Sequence, residues 1–206
     1  GLARGVRAVR LSSIVVEISV LMAQFPSAKI AELSWRYRTL GLGYANLGGL
    51  LMSLGLGYDS DEGRALAGAL TAIMTGTSYG TSAEMAGELG PFAGYEANRE
   101  ATLRVLRNHR RAAHGLTQGY EQLHTAPVAL DEANCPLPEL AGAACAAWSW
   151  PSRVAASSIC SACAAISRIS PGKIRSLPGP SRSATWTPMR TWCRTRGIST
   201  MSQKFF

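Results

Sequence analysis

Acidic residues are missing from the last 58 positions of this 206-residue chain, 149–206, although that stretch holds nine Lys/Arg. Residues 1–148 carry 12 Lys/Arg against 13 Asp/Glu, so the formal net charge of +8 belongs to the end of the chain and not to its body. The basic pI is therefore no ground for reading the body as a nucleic-acid binder. Long apolar runs are also lacking. Crossing a bilayer takes about 20 consecutive apolar residues. Two uncharged stretches, 39–58 and 65–83, come near that length, but the first contains six glycines and the second is rich in Thr, Ser, Gly and Ala. Neither has the density of Leu, Ile, Val and Phe that makes insertion favourable. Cysteines number five, an odd count, and the basic start 1–10 leads into an apolar run that Glu17 interrupts, with no small-residue cleavage site behind it. These features argue against a disulfide framework and give no support to a secretory leader, and a reducing cytoplasm is the expected location.

What is present is helical periodicity. Ile14, Val15, Ile18, Leu21 and Met22 form a stripe that predicts one buried helix face, ended by Pro26. Ser27 is placed to cap a second helix, in which Ile30, Leu33 and Tyr37 repeat the helical spacing and Glu32 precedes Arg36 by four residues. The run LGLGYANLGG, 40–49, is too glycine-rich for a comfortable helix and predicts a short strand with a tight turn, followed by a short apolar helix over 50–56. Asp59 and Glu62 fit a capping box at the head of a long helix from Asp61 to about Gly90, with Leu66, Leu70, Ile73 and Met74 on one face and Gly90-Pro91 closing it. A further helix is expected over 97–113, with Leu103 and Leu106 inward, four arginines outward and Gly115 as the stop. Beyond Trp148, Ser and Thr supply 17 of 58 residues and Pro five, and no apolar period survives more than a turn. That composition predicts a tail that does not fold.

Three ordered runs in the body, EISVLMAQFPSAKIAELSWRYRTLGLGYANLGGLLMSLGLGYDSDEGRALAGALTAIMTGTSY, SAEMAGELGPFAGYEANRE and LRVLRNHRRAAHG, resemble the large chain of adenosylcobalamin-dependent (class II) ribonucleotide reductase. The resemblance covers roughly residues 5–148. It implies an α/β fold in which this stretch is a mostly helical part of a ten-stranded α/β barrel. It also implies radical reduction of ribonucleoside diphosphates to deoxyribonucleotides with adenosylcobalamin as cofactor. The expected partner is the ribonucleotide substrate, with no specific nucleic acid and no membrane. Residues 1–148 are then a fragment of the catalytic barrel domain, and 149–206 an unfolded tail or the product of a shifted reading frame. The family's N-x-C-x-E motif and its P-T-G-T-I phosphate loop are not found in this chain. The resemblance therefore assigns no catalytic, cofactor-binding or metal-ligating residue here, and the chain alone is expected to be inactive. The rival reading is a small helical interaction module with a polyanion-binding tail.

Other candidates are weighed residue by residue. Asn134-Cys135-Pro136 lacks the Glu two residues after the cysteine and reads as an ordinary loop cysteine. Cys160 and Cys163 have C-x-x-C spacing, but no second pair or neighbouring His completes a zinc site. Gly41-x-Gly43-x-x-Asn46 begins like a dinucleotide fingerprint and then puts Asn where the third glycine belongs, so close backbone packing is the expected use of these glycines. His109 and His114, five apart, do not stack as metal ligands and are expected on the surface. Arg104, Arg107, Arg110 and Arg111 could hold a phosphate, but a solvated face paired with acids on other elements is the expectation. Trp186 and Trp192 are too few to build a base-stacking groove in the tail.

Overall fold

The computed structural model describes residues 1–39 and 41–149. Six helices form there, α1 (Leu2–Met22), α2 (Ala28–Tyr37), α3 (Leu47–Ser53), α4 (Asp61–Leu89), α5 (Tyr95–Ala113) and α6 (Pro138–Ala147), and the described residues contain no strand. The tail with Cys160, Cys163, Trp186 and Trp192 lies outside them.

Helix α4 is the element on which the others are arranged. Its 29 residues span about 43 Å at 1.5 Å per residue. Its bounds agree with the periodicity, and Leu66, Ile73 and Met74 are buried as expected. The cap is a correction: the Ser60 hydroxyl, not Asp59, accepts the Gly63 N–H at 3.0 Å. Asp59 and Asp61 instead bracket Arg64. Two apolar clusters lie along α4. In the first, Ala65, Ala69 and Ile73 meet Ala141 and Ala144 of α6, together with Leu130 and Cys135, and Leu2 and Val6 of α1 close over them. In the second, Tyr79 meets Leu106 and Ala113 of α5 and Trp148. Helix α6, which starts on Pro138, carries no long apolar period and is legible only afterwards from its Ala-rich run.

Small residues set how close these helices come. A Cβ at Gly76 would stand 2.6 Å from the Ala147 carbonyl oxygen, inside any real contact. At Gly94 it would reach the Tyr37 ring at 2.9 Å, in the same place where the Gly94 N–H donates to the Arg36 carbonyl at 2.8 Å.

Helix α1 departs from expectation in two ways. It begins at Leu2, because Leu2 and Val6 have a core to enter and Arg10 pairs with Glu84 of α4 at 2.5 Å. Of the stripe Ile14, Val15, Ile18, Leu21 and Met22, expected to be buried, all but the half-buried Ile14 are exposed, and the one buried residue of α1 is Ser13 on the other side. Periodicity reveals that a helix has an apolar face, not what covers it. In α2 the Ser27 cap forms as expected, accepting from the Ile30 N–H at 3.3 Å. Arg38, in the left-handed region with φ 47°, ends α2 and binds the Glu17 carboxylate of α1, with its guanidinium 4.9 Å from the centre of the Trp35 ring.

The expected Gly-rich strand is not formed. Residues 41–45 make no backbone–backbone hydrogen bond among the described residues, since a strand needs a partner edge and none of these elements offers one. Nor are Gly41 and Gly43 closely packed: a Cβ at either would meet nothing within 4 Å. The segment is held through Tyr44, whose hydroxyl lies 2.8 Å from the Thr71 hydroxyl on α4. Asn46, with φ 69°, then turns the chain into α3, three residues earlier than the apolar run suggests.

Candidate functional site

The arginine cluster of α5 is the first place to look for chemistry. Its face is kept solvated by helix geometry, and the acid that meets it comes from the loop after Gly115. Glu121 accepts from Arg107 Nε and Nη2, both at 2.8 Å, and from Arg111 Nη1 at 3.0 Å. Asn108 completes the clasp, giving its amide N–H to the Glu121 carbonyl at 3.0 Å and taking the Glu121 N–H at 2.9 Å. The guanidinium hydrogen bonds of Arg107 and then Arg111 pull the Glu121 carboxyl down to about 2. Glu100, Arg104, Arg107, Glu121 and Gln122 line an open cleft of about 480 Å³. Two carboxylates among its walls offset the arginines, so the cleft is no ready phosphate receptor. Arg107 and Arg111 are thus paired with an acid on another element, as the sequence suggests.

On another side of α5, His109 departs from the surface expectation. It is half-buried, with its ring stacked on Trp148 at 6.0 Å between centres and 5° between planes. Nδ1 lies 2.8 Å from the Val105 carbonyl, which can only accept, so the neutral ring carries its proton on Nδ1. Burial lowers the pKa of His109, against the opposing pull of that carbonyl. His114 is exposed as expected and does not approach a metal-ligand set with it. Trp148 also packs on Tyr79 at 5.9 Å, and its indole N–H donates to the Ala72 carbonyl at 3.0 Å.

The two described cysteines are free thiols. Cys135 lies in the loop before α6, as expected, and is buried in the first cluster, its thiol directed at the Leu137 carbonyl at 3.4 Å. Cys145 on α6 donates to Glu132 Oε1 at 2.7 Å and approaches the Ala113 carbonyl at 3.4 Å. Desolvation first, then the Glu132 hydrogen bond and charge, push the Cys145 thiol up to about 11. Cys145 is therefore held as the thiol and Cys135 is shielded by burial, the opposite of an activated nucleophile. Gly41, Gly43 and Asn46 do not form a phosphate loop; the helix after them is only seven residues long. Glu121, Glu132, Tyr79 and Trp148 were not marked as site partners by the sequence, since each acts across a loop or between helices. Among the described residues no group of three or more His, Cys, Asp or Glu is placed to hold a metal ion, and no helix is long and apolar enough to cross a membrane.

With this geometry established, comparison with known proteins places the chain. Residues 3–148 match the family model for the ribonucleotide reductase barrel domain. Over 141 residues the chain is 68% identical to a vitamin B12-dependent ribonucleotide reductase of Agrobacterium fabrum, covering 68% of this chain and 11% of that protein. Over 139 residues it is 65% identical to the protein of the same name from Bradyrhizobium diazoefficiens, again 68% of this chain and 11% of that one. A third such protein, from Streptantibioticus cattleyicolor, is 52% identical over 109 residues, which are 53% of this chain and 18% of its own length. The chain belongs to the ribonucleotide reductase barrel-domain family. It spans about a tenth of the length of the first two of these relatives.

Proposed function

We propose that residues 1–148 are a scaffolding segment of the catalytic barrel of an adenosylcobalamin-dependent ribonucleoside-diphosphate reductase, a cytoplasmic enzyme that makes deoxyribonucleotides for DNA synthesis. In this reading 149–206 is not part of that barrel. The support is the continuous family match over 3–148 together with 68% identity to a relative named as vitamin B12-dependent. Within the complete barrel, 41–46 supplies the expected Gly-rich strand. Its alternation of Leu42 and Tyr44 with Gly41 and Gly43 fits a pleat, and the backbone groups of 41–45 make no hydrogen bond with one another or with the other described residues' backbone.

The segment contributes packing and not reactive groups. A corrinoid does not fit the cleft beside Arg104 and Arg107, which is open and walled by opposed charges, so no step through the cofactor is derived from these residues. Thiyl chemistry needs a cysteine that contacts the ribose beside an acid–base group. Cys135 is buried against a carbonyl, and Cys145 is a thiol held by Glu132. No ribonucleotide reduction is expected from this chain alone with adenosylcobalamin and a dithiol. A chimera in which residues 3–148 replace the matched segment of the Agrobacterium fabrum protein is expected to turn over. Turnover by the chain alone, or a folded but inactive chimera, would refute the proposal.

A further inference from the structure

We infer that Arg104, Arg107 and Arg111 of α5 form a latent site for a phosphoryl dianion, kept closed by Glu121, whose carboxylate occupies the place of the ligand. The inference concerns binding at this face and does not depend on the role proposed for residues 1–148.

The three arginines are spaced by three and four residues, which sets them on one face of the helix. Like charges so placed repel, and an anion among them relieves the repulsion. Glu121 supplies that anion for two of the three. Its two oxygens accept from Arg107 Nε and Nη2 as a fork, and Oε1 accepts from Arg111 as well. A guanidinium offers the same fork to a carboxylate or to a phosphoryl group. The Glu121 carboxyl, held down at about 2, reflects how far the place favours negative charge. Arg104 is left over. It is half-buried and lines the same cleft, yet no hydrogen bond or ion pair joins it to another described residue.

That unserved guanidinium selects the ligand. A carboxylate has a single charge, and its oxygens are spent on Arg107 and Arg111. A phosphoryl group carries about two negative charges and three acceptor oxygens, enough to reach Arg104 too. The open cleft of about 480 Å³ leaves room for whatever the phosphoryl group is attached to. Glu121 is able to leave because it stands on a loop and not on a helix. Gln122 beside it lies in the left-handed region at φ 52°, where a residue with a Cβ sits at a cost. The closed loop is therefore held against its own backbone preference. Once Glu121 is displaced, the Asn108 bonds are what remains of the clasp, so binding also loosens the loop.

Inorganic pyrophosphate is the probe, titrated into the full chain at neutral pH and constant ionic strength. The basic end of the chain also attracts anions, so binding is read from the NMR signals of the Arg104 and Arg107 Nε–Hε groups and not from total heat. Glu121→Gln opens the site, and the dissociation constant should fall by about tenfold or more, because apparent affinity rises with the fraction of molecules in the competent state. Glu100→Gln makes the same charge change in the same cleft without opening the site, and should alter the constant by less than about threefold. Equal effects of the two variants would overturn the inference, since charge alone would then account for both. Arg104→Gln added to Glu121→Gln should reverse most of the gain; an unchanged constant would overturn it by removing Arg104 from the site. Wild-type protein gives a second reading that does not depend on how a variant folds. Pyrophosphate should shift the Glu121 carboxylate carbon together with the two arginine signals and speed amide exchange over 116–122. Arginine shifts without a Glu121 shift, or no shift of either well above the roughly millimolar effective concentration of a loop-borne group, would overturn the inference. Phenyl phosphate run beside pyrophosphate separates the sources: its binding at the same arginines supports a phosphate ester as the ligand, and its failure where pyrophosphate binds supports a free inorganic anion.

Discussion

The indole N–H of Trp148 donates to the carbonyl of Ala72, 76 positions earlier, at 3.0 Å. One side chain thus locks the C-terminal end of α6 onto the middle of α4, with Tyr79 and His109 both packed against its ring.

Replacing Trp148 separates the two parts of this lock. Trp148→Phe keeps much of the ring contact and loses the donor, so a loss of about 1 kcal/mol in urea unfolding is expected. Trp148→Ala also empties the second cluster, for a loss of about 3–5 kcal/mol. Equal losses for the two variants would show that the hydrogen bond, not the packing, holds this end.

His109 makes the same region sensitive to acid. Its pKa is lowered in the fold, so its contribution is complete above the ordinary histidine value, about 6.5, and falls away as pH drops toward and through the depressed folded value. His109→Phe, which keeps the stack and removes the proton site, should flatten the stability profile between neutral pH and pH 5. An unchanged slope would remove His109 as its cause.

Glycine on α4 gives opposite outcomes at two positions. Gly76→Ala gains helix propensity but drives a methyl into the Ala147 carbonyl at 2.6 Å, and overpacking of this kind costs about 1–3 kcal/mol. At Gly87 a methyl meets nothing within 4 Å, so Gly87→Ala should stabilise by about 0.5–1 kcal/mol. Thermal unfolding of the pair checks both signs.

Glu121 is expected to titrate in NMR near 2, far below an ordinary glutamate. Its depressed pKa means that the clasp stabilises fully above the usual carboxylate range and is lost as pH falls through about 2. Glu121→Gln should release the Asn108-anchored loop to faster hydrogen exchange at neutral pH. Unchanged exchange would show that Asn108 alone holds it.

Cys145 should resist alkylation at pH 8, since a thiol at about 11 offers almost no thiolate there. Glu132→Gln removes the acceptor charge and should speed alkylation several-fold, read by intact mass. Burial remains as the larger cause, so reactivity should stay below that of an unfolded peptide.

Much of this was legible in the residues. The Asp61–Leu89 helix follows from a 3.6-residue period and a Gly-Pro stop, and the Ser27 cap from its place before α2. The pairing of α5 arginines with acids elsewhere follows from the balanced charge of the body, although nothing local points to Glu121. Misreadings share one cause, which is that a local pattern does not name its partner. The α1 stripe is apolar but uncovered, the 41–46 alternation lacks an edge to pair with, and His109 is half-buried by a tryptophan 39 positions away. Asp59 against Ser60 was a contest between neighbouring caps. Ser60→Ala should cost about 1 kcal/mol, and Asp59→Ala less.

Residues 69–83 of α4 include no exposed position at all. A deep mutational scan should therefore find an unbroken band of intolerance there, about four turns long, where an ordinary amphipathic helix would show a rhythm of tolerant and intolerant sites. In an alignment of relatives such a band looks like a catalytic signature. Here it would record the crowding around one helix, and invariance across TAIMTGTSYGTS is no guide to where the chemistry of the barrel takes place.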